Sequence, residues 1–533
     1  MTPPSPHPLQ RLLTNWVVWL LLLPWVSVGA APTALQGQWT ALPSDGPPQQ
    51  VERIAATGGR FQYEAEFELQ SAERRVIDFK NSSVLGRFSH QVFDANGALV
   101  AQAQGGIESP ELNPFFLRHG RELELPAGRY RLVTTLESPF FLAQPEPYID
   151  ELSNYRIAIR EGNALLLIGL GVFVGLGVYY TSLALIRRQR VHAMYAAFIL
   201  GNFLYNGTAL LALHDLVDSG WFYLISLPIL LSNMAYVVFV MDLLGLRQDS
   251  HPRMFAVGRA LLLLLGAFAV LGVFKLNWSL ELCRIGVGLF LVFGLTVGVI
   301  QAWRGQTLAR LYLLANIGFF ASGISAISLL DLQGVYTIYI EHIGLVAVTI
   351  EVLLLALVLS YQFGMLQREK EQALERAENN LRLACTDALT GLPNRYALEM
   401  ELAQMPQRGS LTFIDLDGLK HYNDTHGHVS GDALLRTFAI TFATRLGTVA
   451  TLHRLGGDEF AATSREGDVA GIEQLLQETV EEIRADGYEL SGASCGSVRV
   501  FECAQRDQLK HLADTRMYEN KRRRKTRDRV ASL

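Results

Sequence analysis

Long apolar stretches alternate with short charged connections over residues 161–361. Seven of the stretches approach the ~20 residues that a helix needs to cross a bilayer. Their bounds are Ala164 to Ile186, Met194 to Leu213, Trp221 to Leu244, Phe255 to Phe274, Ile285 to Trp303, Leu311 to Leu330 and Ile340 to Tyr361. The pattern predicts a bundle of seven transmembrane helices.

Residues 31–160, before the first span, carry short apolar runs with a period of two. One run alternates with glutamine and glutamate and consists of Phe61, Tyr63, Ala65, Phe67 and Leu69. Such a run buries one face of a strand and leaves the other in solvent. With turn signals such as Asp94 to Gly97, the segment predicts an all-β sandwich without cysteine, and therefore without disulfides.

Four aromatic residues of this segment allow two interpretations. They either line a ligand pocket or pack in the core, and core packing is the more common role of such residues. These residues are Phe115, Phe116, Phe140 and Phe141.

The first thirty residues have the features of a signal peptide. A polar start with Arg11 is followed by the apolar stretch Trp16 to Val28, and the small residues up to Ala30 suit a signal-peptidase cut. An uncleaved anchor helix is the alternative interpretation. We expect residues 1–30 to be removed on export.

A charged segment, residues 362–385, follows the last span. Leu374, Ala377, Leu381 and Ala384 keep a 3-4-3 spacing, which places them on one seam of a helix. The spacing predicts a short parallel coiled coil, with a single solvated helix as the alternative.

Composition and charge narrow the class of protein. The chain has 533 residues, is 50% hydrophobic and carries a net charge of −5, which indicates a membrane protein with soluble parts rather than a nucleic-acid binder. Arginines concentrate in or beside alternate connections: Arg187, Arg188 and Arg190, then Arg247, Arg253 and Arg259, then Arg304 and Arg310. The positive-inside rule makes these connections cytoplasmic. An exported N-terminal domain, an odd number of spans and a cytoplasmic C-terminus then agree with one another.

The candidate chemistry lies in the C-terminal part, where Gly456 and Gly457 precede Asp458 and Glu459. Glycine lets backbone amides approach a polyphosphate, and paired acids hold a divalent cation against the same phosphates. A solvated β-turn is the alternative for these residues taken alone. Upstream, the apolar run Leu411 to Asp417 reads as a buried strand that ends in two acids on one face.

Other residues surround these motifs in a particular order. They are Thr386 to Arg395 upstream, then Lys420, Asn423-Asp424 and Gly427 to Asp432 after the strand. The ordered set resembles the GGDEF family of diguanylate cyclases over residues 386–533. The resemblance implies an α/β, palm-like domain, in which a central antiparallel sheet is flanked by helices and the acidic strand end lies beside the Gly-Gly hairpin.

The resemblance also implies a metal and catalytic set. Asp415 and Asp458 match the family's metal carboxylates, and the backbone carbonyl of Leu416 matches a further ligand. Glu459 matches the acid that helps to activate the attacking hydroxyl and also binds metal. Two divalent ions per site are implied, normally Mg²⁺, with Mn²⁺ as an alternative.

A substrate-binding set follows from the same resemblance. Asn423 and Asp432 match the pair that reads the guanine edge, which suits the hydrogen-bonding capacity of an amide and a carboxylate. Lys420, Lys521 and Lys525 match positions that hold the triphosphate, and Gly456 and Gly457 match the glycines of the hairpin.

The implied reaction joins two GTP molecules into cyclic di-GMP and releases two pyrophosphates. Each domain binds one GTP, so a homodimer is required. Leu419 stands where the family usually has Phe, and Lys525 replaces a usual Arg, which loses the bidentate fork but keeps the charge. Gly447 and Ala450 occupy the positions of the family's inhibitory Arg-x-x-Asp site, so that site is expected to be absent.

The order of domains resembles bacterial seven-transmembrane receptors with diverse intracellular signalling modules. This resemblance implies a Gram-negative inner membrane and a periplasmic sensor for an unidentified small-molecule or carbohydrate-like ligand. Glu351, inside the last predicted span, is either a hinge of the signal or hydrogen-bonded to a neighbouring span. Two alternatives to a cyclase remain: a catalytically inactive nucleotide-binding receptor, and a scaffold that signals through protein contacts.

Overall fold

A computed structural model describes residues 32–44, 46–329, 337–503 and 505–531. The expected signal peptide, and Leu330 at the end of the sixth predicted span, lie outside these residues. The chain divides into two compact units, Met1–Gly364 and Met365–Leu533. It passes from one unit to the other within a single long helix, Ile340–Cys385.

The N-terminal part of the first unit consists of ten strands in two antiparallel sheets. In chain order they are β1 Thr33–Ala34, β2 Gly37–Ala41, β3 Gln49–Val51, β4 Gly59–Leu69, β5 Glu73–Lys80, β6 Arg87–Asp94, β7 Leu99–Gly105, β8 Arg121–Leu125, β9 Gly128–Ser138 and β10 Glu146–Glu151. One sheet has the order β3-β2-β4-β9-β6-β7, and the other has the order β1-β10-β5-β8. We call these strands and their loops the β domain.

The two sheets of the β domain share one apolar core. In β4 the five alternating apolar residues are buried, whereas Glu64, Glu66 and Glu68 are exposed. The apolar residues of β4 pack with residues of the other sheet, including Ile77, Phe79 and Ile149. The period of two therefore sets which face of β4 enters the core.

Among the described residues, eight helices follow the strands, the last of which continues into the second unit. They are α1 Leu152–Arg187, α2 Arg190–Ala209, α3 Ala212–Val217, α4 Tyr223–Leu243, α5 Pro252–Phe274, α6 Leu276–Trp303, α7 Thr307–Leu329 and α8 Ile340–Cys385. By length and composition α1, α4, α5, α6 and α8 are able to cross a membrane. Helix α7 contributes a shorter apolar segment, Thr307–Ile317, whose side chains the structure describes.

The second predicted span differs from the structure. Helix α2 ends at Ala209 rather than continuing to Leu213, because Leu211 adopts a left-handed conformation with φ of 66°. Helix α2 carries two buried asparagines whose amides are satisfied inside the bundle: Asn202 Nδ2 donates to Ser232 Oγ of α4 at 2.9 Å, and Asn206 Nδ2 donates to Asn202 O at 2.8 Å. A helix buried among other helices can carry such groups without facing lipid.

The β domain packs directly on the helices that follow it. Phe140 lies edge-on to Phe222 with ring centroids 5.2 Å apart, and Val84 and Ile107 join the same apolar cluster as Ala209. Three of the four aromatic residues with two interpretations are therefore core residues: Phe115, Phe140 and Phe141 are buried, and Phe116 is exposed.

The second unit is built on a four-stranded antiparallel sheet. Its remaining elements are α9 Arg395–Ala403, β11 Ser410–Asp417, α10 Leu419–His426, α11 His428–Leu446, β12 Thr451–Gly456, β13 Glu459–Ser464, α12 Val469–Ala485, β14 Gly492–Arg499, a 3₁₀ turn Val500–Glu502 and α13 Arg506–Ala531. The strand order is β12-β13-β11-β14. One apolar cluster joins the sheet to α11 and α12, and a second joins it to α9 and α13. Leu419, which replaces the family's Phe, is buried in the first cluster.

Helix α8 contains both the last predicted span and the predicted linker. Its backbone is helical throughout Ile340–Cys385, with no separate linker element. The seam residues Leu374 and Leu381 are 60% and 50% exposed in the single chain. An apolar seam left in solvent at heptad spacing is what a coiled-coil partner would cover.

Gly496 in β14 tests how closely α13 packs on the sheet. An added Cβ would lie 2.1 Å from Met517 N and 2.3 Å from Ala513 O, both backbone atoms of α13. Because neither atom can rotate away, we expect Gly496→Ala to destabilise the second unit by about 1–3 kcal/mol. Thermal proteolysis of the full chain, followed through fragments of the second unit, measures the change.

Gly364→Ala is the matched control, because no atom lies within 4 Å of its added Cβ. Alanine also favours the helix, so the control should unfold at the same or a higher temperature. Equal unfolding midpoints for the two variants would contradict the close packing of α13.

Candidate functional site

The Gly-Gly hairpin between β12 and β13 is shaped by backbone conformations that favour glycine. Gly456 has φ of 141° and Gly457 has φ of 56°, and Gly456 pairs with Glu459 across the turn. Leu416 N donates to Asp458 O at 3.1 Å, which ties the turn to the neighbouring strand. Side chains other than glycine are strained at these two positions.

The strand register brings the predicted acids to one end of the sheet. Asp415 of β11 lies directly opposite Glu459 of β13, and Asp458 occupies the turn just before it. The negative charges of Asp458 and Asp417 act on the Asp415 carboxyl. The sheet therefore gathers the acids that the motifs predict, although Asp415 and Asp458 are more than forty positions apart in the chain.

Basic residues pair with Asp415 and Glu459. Lys521 Nζ donates to Asp415 Oδ1 at 2.5 Å, and Arg395 Nη2 lies 3.7 Å from Glu459 Oε2. Burial raises the pKa of Asp415, and the ion pair with Lys521 only partly offsets it. Burial opposes the charge on Lys521, yet its bond to Asp415 raises the pKa of Lys521 above its usual value.

The oxygen donors at this end of the sheet suit Mg²⁺, which prefers carboxylates and carbonyls. Among the residues that the structure describes, no three acidic, histidine or cysteine side chains are already gathered at metal-binding distance. Lys521 occupies an oxygen of Asp415 that an ion would share. The residues fit the ion chemically, and Lys521 already engages one of the two oxygens of Asp415.

Asn423, one of the two predicted guanine-reading residues, packs against Gly431, which directly precedes the other, Asp432. An added Cβ on Gly431 would lie 1.7 Å from Asn423 Oδ1, so glycine makes room for that side chain one residue before Asp432. Asn423 Oδ1 is buried and has no hydrogen-bond partner within the described ranges. A buried acceptor without a partner is the group that a bound base edge would satisfy.

The three predicted phosphate lysines have different environments. Lys521 is held by Asp415, whereas Lys420 is exposed at the start of α10. Lys525 lies one helical turn after Lys521 in α13, and its side chain is outside the described residues.

A buried arginine links the hairpin to the start of the domain, and no role for it was predicted from the sequence. Arg454 donates to Gly457 O at 2.9 Å and to Asp387 Oδ1 at 3.0 Å. Thr390 donates to the same oxygen through its hydroxyl. Asp387 and Thr390 belong to the Thr386 to Arg395 motif. An acid three residues before a threonine often accepts hydrogen bonds from it, and this spacing was the signal in the sequence that could have indicated the contact.

Asn394 extends this connection to the end of α8. Its side chain donates to Ala384 O at 2.7 Å, and it also caps α9 by accepting from Ala397 N at 3.1 Å. Arg454 N donates to the neighbouring Pro393 O at 2.9 Å. The last turn of α8 is thereby joined by hydrogen bonds to the strand that carries the hairpin.

The positions of the expected inhibitory site have structural roles. Gly447 ends α11 with φ of 49°, and Ala450 packs against the main core of the domain. Nearby Arg445 binds Glu482 at 2.7 Å and Glu478 at 3.1 Å. These contacts hold two helices together and engage the arginine closest to the missing motif.

Two family models match the chain. The model for the diguanylate cyclase GGDEF domain matches residues 384–527. The model for the 7TM diverse intracellular signalling region matches residues 162–362.

Curated relatives match the C-terminal region. Diguanylate cyclase DgcP of Escherichia coli (strain K12) is 37% identical over 156 residues, which cover 26% of this chain and 44% of that protein. The bifunctional diguanylate cyclase/cyclic di-GMP phosphodiesterase MucR of Pseudomonas aeruginosa is 34% identical over 157 residues, which cover 27% of this chain and 23% of that protein. The chain thus spans less than half the length of either relative.

A solved structure of a sensory box/GGDEF family protein from Caulobacter crescentus CB15 matches the same region. It is 34% identical, and the match covers 26% of this chain and 98% of that chain, with a TM-score of 0.23.

Asp387 provides a test of the Arg454 connection. Burial alone would raise its pKa, but the hydrogen bonds from Thr390 and Arg454 together hold the pKa of Asp387 below its usual value. We expect Asp387→Asn to lower the free energy of unfolding at pH 7 by about 1–3 kcal/mol, since a hydrogen-bonded charge is lost.

The pH dependence of this loss has a defined sign. A carboxyl whose pKa is depressed by folding stabilises the protein above its unfolded pKa of about 4 and loses that contribution as pH falls through the folded pKa. The difference between wild type and Asp387→Asn should therefore shrink below about pH 4. Asp486→Asn, at an exposed acid after α12, serves as control. A difference that stays constant to low pH would contradict the ion pair.

Proposed function

The C-terminal region of the chain belongs to the diguanylate cyclase GGDEF family and its membrane region to the 7TM diverse intracellular signalling family, and we propose that the protein is a membrane receptor that makes cyclic di-GMP. The observation that carries the proposal is the complete set of acids at one end of the sheet. Asp415, Asp458 and Glu459 are present and adjacent to a hairpin with two glycines. A catalytically inactive receptor would be expected to have lost one of these groups.

The reaction consumes two GTP molecules. In each, the 3′-oxygen forms a bond to the α-phosphorus of the other nucleotide, the bond from that phosphorus to the β-phosphate oxygen breaks, and pyrophosphate leaves. Two such steps give cyclic di-GMP and two pyrophosphates. Because a single domain holds one GTP, a homodimer is required, and the exposed seam with Leu374 and Leu381 supports one.

The acids and lysines handle the charge of the triphosphate. Asp415, Asp458, Glu459 and the carbonyl of Leu416 would hold two Mg²⁺ ions. When bound, such ions neutralise the phosphates and lower the pKa of the attacking hydroxyl. Glu459, half-exposed and beside Arg395, accepts the proton of the 3′-hydroxyl. Lys521 leaves Asp415 and binds a phosphate of GTP instead. Lys420 and Lys525 contribute further positive charge.

Base recognition is assigned to two side chains. Asp432 accepts hydrogen bonds from the ring N–H and amino group of guanine, and Asn423 supplies an amide to the same edge. The unpartnered oxygen of Asn423 supports this assignment. With Gly447 and Ala450 in place of the Arg-x-x-Asp pair, product inhibition is weak and confined to competition at the active site.

The receptor role rests on the membrane region. Since GTP is available inside the cell, the cyclase domain lies in the cytoplasm and the β domain, a sandwich, lies in the periplasm of a bacterial inner membrane. The β domain then senses a small-molecule or carbohydrate-like ligand. An inactive nucleotide-binding receptor or a protein scaffold remains the second candidate. The turnover of the wild-type protein in the test below distinguishes either of these from an active cyclase.

Substitution of Glu459 tests the activity directly. Glu459→Gln keeps the size of the side chain but loses a negative charge and proton acceptor, so turnover of GTP should fall by about 10²-fold or more. The measurement is chromatographic detection of cyclic di-GMP formed by the full chain in lipid nanodiscs.

The control is Glu466→Gln, at an exposed acid of the same domain paired with Arg408. Retention of more than a few per cent of the activity in Glu459→Gln would overturn the catalytic role of this residue. A wild-type protein without any turnover would favour the inactive receptor.

Substitution of Asp432 tests base recognition. Asp432→Ala leaves the guanine edge unpaired in the bound state, so KM for GTP should rise by roughly 5- to 150-fold, corresponding to about 1–3 kcal/mol. Asp424→Ala, at an exposed acid in α10, is the control. An unchanged KM in correctly folded Asp432→Ala would show that the base is read elsewhere.

A further inference from the structure

The turn that follows β5 in the β domain is hydrogen-bonded to the first turn of α8. Ser82 Oγ donates to Glu341 Oε1 at 2.6 Å, and Ser83 N donates to the same oxygen at 3.2 Å. Ile340 N donates in the opposite direction, to Asn81 O at 3.2 Å. Three hydrogen bonds thus join residues 81–83, which we call the serine turn, to the start of α8.

The serine turn is itself rigidly held. Asn81 adopts a left-handed conformation with φ of 74°, uncommon for a residue other than glycine. Its side chain donates to Gln144 O at 3.0 Å, inside the β domain. Ser83 Oγ donates to Ala209 O of α2 at 2.5 Å, and His119 contacts Ser83 O at 2.8 Å. The turn therefore has little freedom to move independently of the β domain.

A buried arginine fixes the segment that leads into α8. Arg118, on the loop before β8, donates to Thr337 O at 2.6 Å and lies 4.6 Å from the centroid of the Tyr339 ring. Gly162 of α1 makes room for it, because an added Cβ would lie 2.3 Å from Arg118 Nη2.

Asp78 of β5 supports the same segment from the β domain. Its Oδ2 accepts from Tyr155 of α1 at 2.6 Å and from Tyr339 at 3.4 Å. Strand β5 and the serine turn after it therefore contact the start of α8 at two places. Asp78 contacts Tyr339, just before the helix, and the serine turn contacts its first residues.

These contacts are buried and directional. Ser82 and Ser83 are 1% and 0% exposed, and Glu341 is 4% exposed. A buried carboxylate that loses a donor is left with an unsatisfied charge, so partial loosening is unfavourable. A displacement of β5 must either carry the start of α8 with it or break all three hydrogen bonds of the serine turn.

We propose that the serine turn and Glu341 form a latch through which the β domain sets the position of α8 and thereby the rate of the cyclase. The proposal rests on the proposed function for its readout and adds the means of regulation. Its structural basis is that α8 continues as one helix from Glu341 to Cys385, where Asn394 and Arg454 join it to the catalytic hairpin.

If Ser82 and Glu341 act through one contact, the effects of substituting each of them on kcat should not add. In the full chain in lipid nanodiscs, Ser82→Ala and Glu341→Leu should each change kcat by about fivefold or more, in the same direction. The double variant should change kcat no more than the larger single change, because both substitutions break the same contact. KM for GTP should stay unchanged, since the site residues are untouched.

Two controls separate the latch from general damage. Ser82→Thr keeps the donating hydroxyl and should retain the wild-type kcat. Ser109→Ala removes a serine hydroxyl that accepts from Glu111 N in the same domain and should also have no effect. Unchanged kcat in Ser82→Ala, or independent effects that add in the double variant, would overturn the latch.

Hydrogen exchange supplies a readout that does not depend on activity. Ser82→Ala should speed exchange at residues 340–344 and also alter exchange at residues 374–384, while strand β11 stays protected. Faster exchange confined to residues 340–344 would show a local contact only and overturn the latch. If the wild type forms no cyclic di-GMP but exchange changes in both segments, the proposed function fails and the latch stands.

Discussion

The chemistry of the second unit depends on the register in which β11 pairs with β13. That register sets Asp415 opposite Glu459, and a slip of one residue would turn the side chains of β11 to the other face of the sheet. Two contacts hold it at the hairpin, the bond from Leu416 N to Asp458 O and the grip of Arg454 on Gly457 O. Inside the domain, Ile414 and Phe460 are paired across the same strands and fully buried.

The sequence allowed the prediction of residue types more reliably than of their pairings. The apolar run before Asp415 and the two glycines before Asp458 predict a strand and a tight turn from local pattern alone. The bond between Lys521 and Asp415 joins residues 106 positions apart, and that between Arg454 and Asp387 joins residues 67 positions apart. Such pairs depend on how distant elements pack together, and periodicity contains no information about that packing.

Local pattern was also insufficient where polar residues are buried in the membrane region. The buried amide of Asn202 in α2 bonds to α4 rather than facing solvent. The residue that breaks the helix, Leu211, is neither glycine nor proline. Glu351 was recognised as unusual, and the structure buries it with no hydrogen-bond partner for its Oε1 among the described residues, so its role stays a prediction. Glu341 lay at the end of an apolar stretch, and its partners are more than 250 positions away.

The proposed reaction suits control from a distance because its rate would depend on the alignment of two domains rather than on folding. Each domain would contribute one GTP, and a misplacement of about 1 Å between reacting atoms can cost about 10²-fold in rate. At the start of α8, three buried hydrogen bonds join the helix to the serine turn. A receptor can therefore change the rate without altering any residue of the active site.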